Sequence, residues 1–155
     1  MLGRIFPKQI DNTYRGHWLA LVLLILLTFL KLAMSANAIF NTREIASGAD
    51  GFALDAYGAA GADAVLLLFA LDEVARIVMA LLTAIVLVRY RAMVPLMYFL
   101  LLAEHIGRRA ILTLNPIERT TDSPLGLYVN LGLLAIMAAG FALSLMNRRP
   151  AKEAR

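Results

Sequence analysis

Apolar positions along this chain form long, nearly unbroken runs. They show neither the alternation of a half-buried strand nor the single stripe of a soluble helix. A bilayer core needs about 20 mostly apolar residues of helix, and four stretches meet that need: 18–40, about 64–88, 93–114 and about 125–146. Local punctuation agrees with these limits. Pro95 suits a first helical turn, Asn115-Pro116 a stop, and Asp122-Ser123-Pro124 a cap followed by a start. The predicted fold class is all-α: a polytopic integral membrane protein with four transmembrane helices in an up-down antiparallel bundle. No internal repeat or second domain is visible, so residues 1–155 read as a single transmembrane domain.

Composition narrows the class further. Of 155 residues, 61% are hydrophobic and 17% charged, with a mean hydropathy of +0.73. Soluble domains hold about 45–50% apolar residues, so a soluble enzyme and a disordered tail are both excluded. The absence of cysteine removes disulfides, thiolate nucleophiles and Cys-ligated metals. With His17 and His105 the only histidines, a bundle holding haem or zinc through several imidazoles is excluded too.

The net charge of +4 is distributed as a topology signal. Arg4, Lys8 and Arg15 precede span one, Arg89 and Arg91 link spans two and three, and Arg148, Arg149, Lys152 and Arg155 lie in the basic tail, 147–155. Only Arg43 and Arg119 fall in the other two connections. Basic residues mark the cytoplasmic side, so both termini are expected there, facing anionic lipid. No basic run is interleaved with aromatics, which argues against nucleic acid as a partner. Leu2, Ile5, Phe6 and Ile10, with Arg4 and Lys8, form a short amphipathic piece suited to that interface, limited by Pro7. The expected location is a cell membrane, of the bacterial inner-membrane type, with several passes. Span count and size are similar to those of many small four-helix bacterial membrane proteins, a generic likeness that carries no activity.

Span one also has features of a signal peptide, including Ala36-Asn37-Ala38 as an A-x-A match. Its apolar stretch is longer than the usual 7–15 residues and contains Lys31, so it reads as a retained anchor. The outer loop, 41–63, is rich in Gly and Ala and carries Glu44, Asp50, Asp55 and Asp63. It reads as a mobile connection; covering the mouth of the bundle or binding a partner is the alternative.

Candidate chemistry lies inside the spans. Asp72, Glu73 and Arg76 fall in span two and Glu104, His105, Arg108 and Arg109 in span three. Each charge at a helix centre costs about 2.5 to 3.5 kcal/mol in lipid, so these groups must face protein or water with partners. The short Arg89–Arg91 link predicts a tight antiparallel hairpin. At equal depth from it, Arg76 meets Glu104 and Asp72 meets Arg108, with Glu73–Arg108 and Asp72–Arg109 one residue off. Within each helix, Asp72–Arg76 and Glu104–Arg108 are neighbours one turn apart. Lys31 and Asn130 fall about 24 Å and 27 Å from the inner face, in the same layer. That polar network of nine residues holds four fixed positive charges against three acids. A small anion is therefore a candidate ligand.

Span four reads as a packing helix. Gly132, Ala135, Ala139 and Ala142 place small side chains on one face, suited to a four-helix core or to a homo-oligomer contact. Neither metal nor cofactor is expected: Glu104 and His105 are adjacent and point about 100° apart, and no Glu-x-x-His pair is present. Catalysis has no assigned residues. Glu104 with a His105 shuttle suits acid–base work, but no serine lies in a nucleophile motif and no phosphate-binding glycine loop occurs.

Three functions follow, in order of preference. The first is a non-enzymatic assembly or partner-binding membrane protein whose buried ion pairs join helices two and three. The second is a transporter or anion- or proton-handling component that uses the polar layer. The third is a membrane enzyme acting on a lipid or isoprenoid.

Overall fold

The computed structural model describes residues 2–116 and 124–146. The basic tail, Arg119 and the Asp122-Ser123 cap lie outside the described residues. Every regular element is helical, and no β-strand occurs among the described residues. Four long helices account for most of the chain: α1 (Trp18–Phe40), α2 (Gly58–Arg89), α3 (Val94–Leu114) and α4 (Pro124–Leu145). Among the described residues, two segments are long and apolar enough to cross a membrane, Trp18–Phe40 and Gly126–Leu145. Helices α2 and α3 have the length, but their apolar runs are broken by the charged residues already named.

Helix limits follow local chemistry. Helix α1 begins after His17, whose Nδ1 accepts the Leu19 N–H at 3.3 Å as an N-cap. Pro95 sits in the first turn of α3, where its missing N–H costs nothing. Helix α2 starts six residues earlier than position 64, at Gly58, whose φ of 65° breaks it from the preceding turn, Leu54–Tyr57. At 32 residues it is about 48 Å long, more than the roughly 30 Å of a bilayer core. The stretch 41–63 is folded rather than open coil. Thr42–Glu44 and Ile45–Ala49 continue as helical turns, and Ala46 and Leu54 are buried.

The closest packing is between α1 and α2, followed by α1 with α4 and α3 with α4. Helices α2 and α3 touch far less, so the tight hairpin expected of them is confined to the turn joining them, Arg91–Met93. They diverge beyond it. At this near end all four helices share one apolar core, with Leu24 and Leu27 of α1, Val86 of α2, Tyr98 and Leu101 of α3, and Met137 of α4. Tyr98 is fully buried, and its hydroxyl donates to the Ala20 carbonyl at 2.6 Å. Buried hydroxyls elsewhere bond back one turn in their own helix: Thr28 to Leu24 and Thr83 to Met79.

The small-residue face of α4 is turned outward. Gly132, Ala135, Ala139 and Ala142 are all exposed, and a Cβ on Gly132 would meet open space. Within the chain the packing face is instead Leu133, Met137, Gly140 and Ser144. The reason is steric. The Tyr98 ring lies directly on Gly140 and leaves no room for a Cβ there. A large ring on α3 thus selects which small residue of α4 faces inward.

The N-terminal segment crosses the near end. Its one helical turn, Leu2–Ile5, packs on α3, and Phe6 meets the Phe99 ring edge-on at 6.5 Å. Arg4 donates to the Leu145 carbonyl and the His17 N–H to the Leu143 carbonyl, serving acceptors that the end of α4 leaves unsatisfied. A Cβ on Gly16 would sit 2.5 Å from the Ser144 carbonyl oxygen, so only glycine permits this approach.

Candidate functional site

At the far end the four helices separate around a cavity of about 710 Å3. Volumes of roughly 300–1,000 Å3 are typical of sites for small organic ligands. Helix α1 contributes Lys31, Met34 and Ser35, and α2 contributes Phe69, Glu73 and Arg76. Helix α3 supplies Glu104, His105, Arg108 and Arg109, and α4 supplies Leu127, Asn130 and Leu133. Residues of the folded 41–57 segment, including Ile45 and Asp50, complete the wall. That segment is anchored where Ala46 and Ala38 pack on Phe69, with Phe52 meeting the Phe69 ring edge-on at 6.0 Å.

Eight of the nine residues expected in a polar layer line this cavity. The ninth, Asp72, ties two of the others together. Its Oδ2 accepts from Arg108 Nη1 of α3 at 2.6 Å and from Arg76 Nη2, one turn along its own helix, at 2.7 Å. Both contacts were expected from depth and helical spacing. Asp72 itself is half exposed.

Other pairings differ from the expectation. Glu104 is held by Lys31 of α1, with Nζ to Oε2 at 2.7 Å, and not by Arg76. Arg76 turns to its own helix, where Nη1 meets Glu73 Oε1 at 2.9 Å. The cause is the divergence of α2 and α3. Equal depth brings Arg76 and Glu104 to one level, but Arg76 is taken up by Asp72 and Glu73 of its own helix while Lys31 of α1 reaches Glu104. The network therefore ties α3 to α1 and α2 at two separate points, Lys31–Glu104 and Asp72–Arg108.

Glu73 is the buried acid of the group, at 3% exposure. Besides Arg76 it hydrogen-bonds Ser35 of α1, which is also buried. Ser35 was not expected at the site, and Asp50 was read only as one of the acids of the outer loop. A signal for Ser35 existed: it follows Lys31 by one helical turn and so shares its face. His105 faces the backbone of Asn130, whose side chain donates to the Gly126 carbonyl at 2.7 Å.

Arg109 lines the cavity and makes no ion pair with a described residue. The Nε of Arg76 is buried without an acceptor. Among the described residues no three His, Asp or Glu side chains gather as a metal site. Chemically the site is a half-apolar chamber with fixed ion pairs and spare guanidinium donors. Compared with known proteins, the chain matches no family model, no curated protein and no solved structure.

Proposed function

We propose that the protein is a four-span integral membrane protein of the bacterial inner-membrane type, with both termini cytoplasmic and a cavity in the outer half of the membrane that binds a small anionic solute. The observation carrying this reading is the chamber of about 710 Å3 onto which eight of the nine intramembrane polar residues open. A purely structural ion-pair layer needs no such space, because close geometry and hydrogen bonds between the partners themselves are what offset the cost of burying them. A site for an anion needs both volume and donors left free by the pairing, and both are present. The nine basic residues of the N-terminal segment, the 89–91 link and the tail support the orientation and a cytoplasmic contact with anionic lipid.

The cysteine-free sequence makes the test direct. A single Leu112→Cys places a thiol on the cavity wall one turn beyond Arg108 and Arg109. In intact cells an impermeant sulfonated thiol reagent should label L112C from outside, at least tenfold faster than a cysteine in place of Leu24 in the dry core. Equal resistance of both positions would reject a water-filled site.

A second reading, an assembly protein whose ion pairs fix helix positions, is favoured by Lys31–Glu104, which joins α1 to α3 where no other side-chain hydrogen bond between them is present among the described residues at that depth. It is compatible with the cavity and does not explain it.

A further inference from the structure

The cavity reading leaves the ligand's chemistry open, and the accounting of hydrogen bonds around the chamber decides it. Formal charge does not. With Asp50 included, the acids at the site (Asp50, Asp72, Glu73, Glu104) equal the fixed bases in number. What is unequal is the state of their atoms. Glu104 is taken by Lys31, Asp72 accepts from two arginines, and Glu73 is held by Arg76 and Ser35. Each of these three acids is engaged through at least one oxygen. Arginine, by contrast, carries five N–H donors. Arg108 commits only Nη1 to a described residue, Arg76 has a buried Nε without an acceptor, and Arg109 has no ion-pair partner among the described residues. Unused donor capacity in the chamber is therefore concentrated on guanidinium forks that suit a carboxylate or phosphate.

The remaining wall is apolar. Phe69 of α2, Leu112 of α3 and Leu127 and Leu133 of α4 line the same space. A hydrated inorganic ion gains nothing from such a wall, and at about 30 Å3 per water the chamber exceeds the volume of a single small anion many times over. Resting on the cavity reading above, we infer that the ligand is an anionic amphiphile: a carboxylate or phosphate held by Arg108 and Arg109, with an aliphatic body along Leu112, Leu127 and Phe69. A fatty acid from the bilayer and an organic acid from water share this chemistry.

The test uses the full chain with L112C in phosphatidylcholine nanodiscs, labelled by a maleimide. Decanoate should slow labelling at least fivefold at saturation. Decyltrimethylammonium, with the same tail and opposite charge, should leave the rate unchanged, and so should inorganic phosphate alone. R109Q should weaken the decanoate effect about tenfold in apparent affinity, as expected for loss of a charged hydrogen bond. R109K, which keeps the charge, should lose less. Decanoate dissolved in the buffer and oleic acid built into the disc separate the two sources, and protection by either supports the assignment. Equal protection by the cationic amphiphile, protection by inorganic phosphate alone, or an R109Q variant indistinguishable from the parent would overturn it. Labelling that no anion slows rejects only this ligand class, whereas an unlabelled L112C rejects the cavity reading itself.

Discussion

Tyr98 and Gly140 show how one residue pair sets a helix rotation. The ring is fully buried, its hydroxyl is satisfied by Ala20, and its face occupies the space a Cβ on position 140 would need. G140A should therefore destabilise the protein by about 1–3 kcal/mol, the usual cost of overpacking. G132A, which adds its methyl to open space, should leave the melting temperature within error. Thermal unfolding in detergent compares the two. The sequence pattern does not separate these glycines, since both sit among alanines and leucines on an apolar helix. Only the partner ring on α3 distinguishes them. The charged positions were far more legible, because ionised groups in a hydrophobic run carry a cost that forces them inward whatever the arrangement. Which acid meets which base was legible only for Asp72, whose partners depend on depth and helical spacing. Glu104 required knowledge of the lateral spacing of helices, and that depends on packing no periodicity encodes.

At the scale of elements, α3 is joined to α4 by packing and, at the chamber end, to α1 and α2 by charge. The Lys31–Glu104 contact is the less exposed of the two charge links and should be the stronger. E104Q alone leaves the mostly buried Lys31 ammonium without its partner and should cost about 3 kcal/mol. D72N, at a half-exposed site, should cost about 1 kcal/mol. The swap K31E/E104K should recover most of the first loss, read as the melting temperature of the double variant against each single one. A swap no better than its parts would show that the two groups do not act as a pair. Helix extents for α1 and α3 followed from apolar run length, Pro95 and Asn115. The early start of α2 did not, because Gly58 to Asp63 are glycines and alanines closed by one aspartate, which give little apolar signal. The preceding turn, Leu54–Tyr57, packs on this extension, with Leu54 buried and its other three residues exposed.

The molecule as a whole has unlike ends: a dry core shared by four helices at one, and a charged chamber roofed by the 41–57 segment at the other. If the basic residues set the orientation as proposed, the chamber faces away from the cytoplasm. Reporter fusions give the check: alkaline phosphatase after residue 155 should be inactive and a fluorescent protein there bright, with the reverse for fusions within 41–57. Activity of the phosphatase at the C-terminus would invert the whole reading. The all-helical class was legible in the long apolar runs, while the chamber is a property of how the helices sit in three dimensions, which no run length encodes.

The contacts of Arg4 and His17 with the last carbonyls of α4 have a temporal consequence. Arg4 and His17 lie far ahead in the chain of the carbonyls they serve, so these contacts form only when α4 has been made. Until then α1 lacks its neighbour α4, Tyr98 lacks the glycine it rests on, and the near end stays unsealed. A chain halted before residue 140 holds three of the four long helices and no finished core, so the near end closes only once α4 is in place.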